Sequence, residues 1–150
     1  MAYRYEVTER VQFSETDMAG IVHFSNFFRY MERAEHAFWR SLGLSVTDRS
    51  VSAEERVGWP RVHASCDYKA PLRFEEVFTV EMLVEEVRSK VIRYLFRFRN
   101  QDGVLVAEGR VTAACVRKDA ATGQMKAVSI PERILQNVSV APAELLAHTE

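Results

Sequence analysis

The stretch FSETDMAGIVHFSNFFRYMERAEHAFWRSLG, residues 13–43, decides the fold. In its second part apolar residues recur at steps of three and four, which predicts one long amphipathic helix with an aromatic face. Ser25 or Asn26 can cap the start of this helix, and Gly43 can end it. About eighteen residues at ~1.5 Å each span ~27 Å. The apolar face of the helix therefore needs a partner surface of that length. The residues of this face are Phe24, Phe27, Phe28, Met31, Ala34, Phe38 and Leu42.

Alternating apolar and polar residues predict five strands around this helix. The first spans residues 3–13, and four more follow the helix, each with one face in the core. Residues 100–103 contain the Asp-Gly signal of a hairpin turn. The pattern predicts one α+β domain in which the helix covers one face of an antiparallel sheet. After the first strand, the expected inward residues are Val62, Ala64, Cys66, Tyr68; Phe78, Val80, Met82, Val84; Ile92, Tyr94, Phe96, Phe98; Leu105, Ala107, Val111, Ala113 and Cys115.

The polar break at residues 88–90 predicts a turn between the third and fourth strands. If it is tight, Glu85 lies opposite Arg93 and Glu81 opposite Arg97, as solvated pairs of little energetic worth. A loop is predicted at residues 44–60 and a short helix at residues 132–138. The residues after this helix are expected to form a thin tail without a further element. Small residues in the last strand should let the long helix approach closely: Ala107, Gly109 and Ala113.

Composition narrows the classes of function. The 150 residues carry a formal net charge of -1, so no overall field favours nucleic acid or an acidic membrane. Cys66 and Cys115 show no CxxC spacing, which favours packing thiols in a reducing compartment. The N-terminus lacks the apolar core of a signal peptide, and no apolar run reaches the ~18 residues of a membrane span. We expect a cytoplasmic protein that contacts neither membrane nor nucleic acid.

Known site motifs are mostly missing. The four histidines, His23, His36, His63 and His148, do not form HExxH or a comparable ligand spacing, so no metal site is predicted. GxGxxG, GxxxxGK[ST] and GxSxG are absent as well. Asp17 remains, in a short loop just before the predicted helix. Its carboxylate can act as a base or a nucleophile, and the helix start offers unpaired N–H groups and partial positive charge.

The segment FSETDMAGIVHFSNFFRYMERA resembles the signature of hotdog-fold thioesterases of the 4-hydroxybenzoyl-CoA thioesterase group and of the YbgC-like acyl-CoA thioesterases. The resemblance implies a hotdog fold and hydrolysis of a thioester to a carboxylic acid and coenzyme A. It makes Asp17 the catalytic carboxylate and assigns the carbonyl-polarising amide to the helix start, around His23 and Phe24. No cofactor is implied, since coenzyme A is part of the substrate. A homodimer or homotetramer is expected.

The resemblance also implies substrate contacts. Gly20 and Asn26 hold motif positions, and Trp59 lies in the Gly58-Trp59-Pro60 stretch before the second strand. Cations at the turn between strands three and four would hold the phosphates of coenzyme A: Arg88 and Lys90, with Ser89 between them.

Two departures from the signature keep alternatives open. Glu15 stands where many relatives have Asp or Gly, and His23 where Tyr or Trp is common. A hotdog dehydratase or hydratase would need a paired His and acid, for which His23 and Glu15 are weak candidates. A non-catalytic acyl-CoA-binding protein would not need Asp17. In another hotdog branch the catalytic Glu lies on the long helix, where Glu32 or Glu35 could stand. The acyl group, aromatic or medium-chain, is open.

Overall fold

The computed structural model describes residues 2–47 and 49–147; His148 lies outside them. Five strands form one antiparallel sheet in the order β1-β3-β4-β5-β2, beside a small hairpin of β6 and β7. The strands are β1 Arg4–Arg10, β2 Arg61–Tyr68, β3 Val77–Val87, β4 Val91–Asn100, β5 Leu105–Ala114, β6 Val116–Lys118 and β7 Met125–Ala127. The helices are α1 Asn26–Ser41, α2 Glu132–Leu135 and α3 Ala143–Ala147, with a single 3-10 turn at Phe13–Glu15.

Helix α1 lies across one face of the sheet, which confirms the predicted hotdog arrangement of helix and antiparallel strands. It begins at Asn26 and ends at Ser41, two residues before Gly43, whose φ is +74°. Its buried face packs on the inward residues of β3 and β4. The joint core is Phe27, Tyr30, Met31, Ala34, Phe38, Trp39, Phe78, Val80, Met82, Val84, Ile92, Tyr94, Phe96 and Phe98.

Three aromatic residues predicted to face the core are exposed instead. Phe24 is 62% exposed because the helix begins only after it, and Phe28 lies at the margin of the buried face. Strand β1 ends at Arg10, so Phe13 lies beyond it in the 3-10 turn and is 75% exposed. Phe24 and Phe13 thus become available to line cavities beside the loop at residues 16–22.

The pairing of β3 with β4 differs from the prediction at one end. Glu81 lies opposite Arg97 as predicted, but a bulge between Val84 and Glu86 shifts the register, so Glu86 takes the place expected for Glu85 opposite Arg93. A bulge adds one residue to one strand, which periodic alternation cannot reveal.

Arg97 is buried, which makes the expectation of a solvated surface pair wrong. Its guanidinium donates hydrogen bonds to Glu108 on β5 and to the carbonyl oxygens of Leu145 and Leu146. The expected thin tail contains helix α3 and covers the outer face of the sheet. There Leu83, Leu95 and Ala141 form a second small cluster with parts of this tail.

Strand β2 is an exposed edge, so the expectation that every strand has one core face is wrong for it. Val62 is 61% and Tyr68 45% exposed, because α1 packs mainly over the other strands. An open edge of this kind is a surface on which another strand can pair.

In the part of the chain that the structure describes, no helix has both the length and the apolar character needed to cross a bilayer.

Candidate functional site

Residues 15–23 form a small antiparallel ribbon between β1 and α1. Asp17 N–H donates to the carbonyl of Ile21 (2.9 Å), and His23 N–H donates to the carbonyl of Glu15 (2.9 Å). The turn between the two arms is closed by Gly20 N–H, which donates to Asp17 O (2.9 Å). Gly20 has φ +80°, a conformation that other residues rarely adopt. Gly20 therefore shapes the turn that carries Asp17.

The ribbon is fastened to the sheet by the segment just before β3. Val22 N–H donates to Leu72 O (2.8 Å), and Ile21 forms a β-bridge with Arg73. The ribbon then runs directly into the first turn of α1. Asp17 and the start of the helix are thereby held at the same end of the sheet.

The carboxylate of Asp17 is half-buried and only partly engaged. Its Oδ1 accepts a hydrogen bond from Ala19 N–H (2.9 Å), and among residues 2–47 and 49–147 no group donates to Oδ2. Asp17 borders a cavity of about 460 Å³ whose other walls are mainly apolar. The remaining lining residues are Ile21, Val22, Phe24, Phe27, Tyr68, Ala70, Pro71 and Leu72.

Asp17 also borders an open groove of about 470 Å³. Phe13 and Phe74 meet edge to face there, with ring centroids 5.7 Å apart, and Met18 is fully exposed beside them. We call this surface the Phe74 groove; it is lined by Phe13, Thr16, Asp17, Met18, Gly20 and Phe74. The carboxylate therefore lies between two apolar recesses.

The two amides expected to polarise a carbonyl differ in availability. His23 N–H is already bound to Glu15 O, whereas Phe24 N–H has no acceptor within the described residues. Ser25 N–H reaches His23 Nδ1 (3.3 Å), and Asn26 N–H donates to His23 O (2.9 Å). Phe24 also borders the cavity that contains Asp17. The geometry thus singles out Phe24 N–H as the amide that can still bind a ligand.

The ring of His23 contacts two residues close to it in sequence, Ser25 and Phe24. Its Nδ1 lies 2.8 Å from Ser25 Oγ, and the ring stacks on Phe24 with centroids 4.5 Å apart. The ring is not part of the wall of the Asp17 cavity. These contacts support the start of α1.

Asn26 is buried, and both ends of its amide are engaged. Its Nδ2 donates to Glu15 O (2.8 Å), and its Oδ1 accepts from Arg29 (2.8 Å). It therefore ties the ribbon to α1 and does not line the cavity.

Tyr68, which the sequence suggested only as a core residue, forms the outer wall of the cavity. Its hydroxyl donates to Phe24 O (3.0 Å), and its ring meets Phe27 edge to face at 5.1 Å. Partial burial raises the pKa of Tyr68 to about 12, so the hydroxyl stays protonated and remains a donor. Tyr68 thus connects the edge strand β2 to the residue that offers the free amide.

The other predicted binding residues lie elsewhere in this chain. Trp59 packs against Trp39 in the second half of α1 (centroids 5.9 Å). The turn of Arg88, Ser89 and Lys90 follows β3, whereas the ribbon is bound just before it. The 11 residues of β3 separate the two by roughly 36 Å at ~3.3 Å per residue. A single chain does not bring these residues to Asp17.

The turn itself is tied into its surroundings. Arg88 pairs with Glu86 (2.9 Å). The carbonyls of Ser89 and Lys90 accept hydrogen bonds from Ile130 N–H and Cys115 N–H, both at 2.8 Å.

Glu32 and Glu35, the alternative helix carboxylates, border a different recess of about 290 Å³. Glu35 is buried and forms an ion pair with Arg61. Burial raises the pKa of Glu35, and the guanidinium of Arg61 opposes that effect. In the described part of the chain no three His, Cys, Asp or Glu side chains converge as metal ligands would.

Residues 11–138 match the family model of the Thioesterase-like superfamily. The chain belongs to this superfamily. A provisionally named esterase from Aquifex aeolicus is 37% identical over 127 residues, covering 85% of this chain and 91% of its own length. The acyl-CoA thioesterase YbgC of Haemophilus influenzae is 25% identical, covering 83% of this chain and 87% of its own.

Solved structures of the superfamily share the fold. The gentisyl-coenzyme A thioesterase BH1999 superposes with a TM-score of 0.74 at 27% identity, covering 87% of this chain and 99% of its own. A hypothetical protein from Aquifex aeolicus gives a TM-score of 0.79 at 32% identity, with 90% and 99% coverage.

Proposed function

We propose that this protein hydrolyses acyl-CoA thioesters to a carboxylic acid and coenzyme A. The observation that carries the proposal is the position of Asp17 and Phe24 on one apolar cavity. Asp17 brings a carboxylate oxygen without a donor, and Phe24 brings an N–H without an acceptor among the described residues. Superfamily membership and the named activities of the relatives support the same reaction.

Each group has a defined part in the reaction. Phe24 N–H would bind the carbonyl oxygen, on which negative charge develops, and one such donor contributes on the order of 3 kcal/mol. Asp17 would take a proton from a water molecule while the oxygen of that water attacks the carbonyl carbon. The C–S bond then breaks, and the proton passes from Asp17 to the thiolate. Alternatively Asp17 attacks directly, expels the thiolate and forms a mixed anhydride that water hydrolyses. Both routes require the Asp17 carboxylate to border the cavity that holds the thioester.

The two recesses beside Asp17 suit a substrate with two arms. In an acyl-CoA one arm is the acyl group and the other is the pantetheine chain. We assign the acyl group to the cavity of Phe24, Phe27 and Tyr68, because Phe24, whose N–H would bind the thioester carbonyl, borders this cavity and not the Phe74 groove. The pantetheine arm then follows the Phe74 groove. Edge-to-face rings in the cavity favour an aromatic acyl group over a medium-chain one.

Within one chain the predicted cations Arg88 and Lys90 lie far from Asp17, so another copy would have to bring them to the coenzyme A phosphates. We propose that Arg88, Ser89 and Lys90 of a second copy bind them in a homodimer or homotetramer, which the exposed edge of β2 would support. No separate cofactor is needed for the reaction as written. We place the protein in the cytoplasm, because both cysteines, Cys66 and Cys115, are free thiols.

Two rival functions make different predictions. A dehydratase would need His23 and Glu15 to face a substrate together, but His23 binds Ser25 and Glu15 binds Gln12 N–H and Tyr30 OH. A non-catalytic acyl-CoA-binding protein would keep the cavity but not depend on Asp17.

A thiol-release assay over aromatic and medium-chain acyl-CoAs, run on the native chain and on Asp17→Asn, tests the proposal. We expect turnover of at least one thioester and a loss of at least ~100-fold in the variant, the scale of a general base. Native-like turnover by Asp17→Asn would refute the role of Asp17. Binding of acyl-CoA without turnover would favour the non-catalytic reading.

A further inference from the structure

We infer that Glu15 is a positioning residue for this reaction. It holds the ribbon of residues 15–23 against the first turns of α1, so that Asp17 and Phe24 N–H face the same cavity. The inference rests on the proposed hydrolysis. Glu15 itself does not line the cavity, so it acts through other residues.

The backbone of Glu15 joins the ribbon to the helix. Its carbonyl oxygen accepts two hydrogen bonds, from His23 N–H (2.9 Å) and from Asn26 Nδ2 (2.8 Å). The first closes the ribbon, and the second comes from the first residue of α1. Residue 15 is therefore the point at which the outgoing arm, the returning arm and the helix meet.

The side chain of Glu15 fixes that point. Its Oε1 accepts hydrogen bonds from Gln12 N–H and from Tyr30 OH, both at 2.8 Å, and its Oε2 lies 3.5 Å from Arg33. Tyr30 is completely buried in the core, one turn into α1. The carboxylate thus links a loop to a rigid element, which gives a loop group a defined position.

The contacts of Glu15 also fix the positions of the two proposed catalytic groups, Asp17 and Phe24 N–H. Asp17 follows two residues after Glu15 on the outgoing arm, and Phe24 follows directly after the returning arm that Glu15 O holds. Displacing a reacting group by about 1 Å can cost on the order of 100-fold in rate. Loss of the Glu15 side chain should therefore lower kcat, whereas KM depends mainly on the unchanged apolar walls.

The experiment compares Glu15→Ala, Glu15→Gln and Glu9→Ala by kcat, KM and melting temperature on the best thioester. Glutamine keeps an oxygen that can accept from Gln12 N–H and Tyr30 OH. Glu9 binds the same Arg33 (2.9 Å) but does not touch the ribbon. We expect Glu15→Ala to lower kcat about 10- to 100-fold with KM within about threefold. We expect Glu15→Gln to recover most of that loss and Glu9→Ala to stay within about twofold of the native kcat.

A double-mutant cycle separates positioning from general loosening of the fold. In an Asp17→Asn background, Glu15→Ala should cost clearly less than it does in the native chain, because the group it positions is gone. If Glu15→Ala fails to fold, Tyr30→Phe, which removes the same hydrogen bond from the helix side, should lower kcat in the same direction. An unchanged kcat in both variants, or costs in the cycle that simply multiply, would overturn the inference. The proposed function itself would fail differently, through the absence of turnover in the native chain.

Discussion

Met31 on α1 fills the space above Gly109 on β5. A Cβ at residue 109 would lie 2.7 Å from Met31 Sδ, closer still to its terminal methyl, and 3.1 Å from Ser65 O. The absence of a side chain therefore sets how closely α1 approaches the sheet. This contact lies one turn beyond Phe27, which forms part of the Asp17 cavity. The glycine supports the site by fixing the height of the helix.

Gly109→Ala should destabilise the fold. Met31 is fully buried, and its flexible end must shift toward the recess of about 290 Å³ that it borders. Ser65 O leaves the new Cβ little room on the other side, and such overpacking costs about 1 kcal/mol. Denaturant unfolding should show the loss. Gly58→Ala is the matched control, because its Cβ would meet Val116 at an ordinary 3.5 Å. Equal stability of both variants would contradict the close approach.

Arg61→Met should make stability depend on pH. Burial raises the pKa of Glu35 and Arg61 lowers it, so the variant raises that pKa further. The folded state then binds more protons than the unfolded state, in which Glu titrates near ~4.3. Below pH ~4.3 the variant keeps its free energy of unfolding. As the pH rises through the pKa of Glu35 in the folded state, that free energy falls. At pH 8 we expect a loss of about 2–4 kcal/mol, and a smaller one at pH 5, measured by unfolding at each pH.

The double variant Glu35→Gln with Arg61→Met provides the control. It removes the titrating group but keeps the volume of the side chain, so the added pH dependence should disappear. A dependence that survives in the double variant would assign the effect to another group.

Much of the fold follows from local patterns. The helix, the order of the strands along the chain and the turn at residues 100–103 each depend on periodicity or on turn chemistry. Burial of the outer face of the sheet depends on the distant segment 139–147. The sequence indicates this burial only through Leu83 and Leu95, two apolar residues on the otherwise polar side of their strands. Helix α3 and Ala141 cover them. Arg97 looked like a surface residue because two of its three acceptors, Leu145 O and Leu146 O, are backbone atoms about fifty positions away.

The site was only partly predictable for a similar reason. Asp17 and the helix start lie within one short motif, and the structure brings them to one cavity. The hydrogen bonds of Tyr68 and Glu15 were not predicted because their partners, Phe24 O and Tyr30 OH, are 44 and 15 residues away. Residue type alone does not reveal such pairings. The turn of residues 88–90 was predicted correctly, but the length of β3 separates it from Asp17.

His23→Ala should affect catalysis far less than Asp17→Asn. The ring is hydrogen-bonded to Ser25 Oγ at the helix start, and loss of one such hydrogen bond costs about 1 kcal/mol, so we expect kcat to fall less than about 10-fold. Ser25→Ala removes the same contact and should give an effect of similar size in the thiol-release assay. A loss in His23→Ala as large as that of Asp17→Asn would instead make the imidazole a catalytic group.

Phe74→Ser should weaken binding of every acyl-CoA by a similar factor. Phe74 borders the groove assigned to the pantetheine arm, which all these substrates share, and is about half exposed. Losing roughly 40 Å² of apolar contact at ~25 cal/mol per Å² gives about 1 kcal/mol, or about a fivefold increase in KM. We expect kcat to stay within about twofold, because Phe74 does not touch the thioester.

Steady-state kinetics over aromatic and medium-chain thioesters provide the measurement. Met125→Ser, on the distant β6–β7 hairpin and 65% exposed, controls for the loss of an exposed apolar side chain and should leave KM unchanged. If Phe74→Ser alters the ranking of the acyl groups, the groove holds the acyl arm and our assignment of the two recesses is reversed. If KM does not change for any substrate, the pantetheine arm does not contact Phe74.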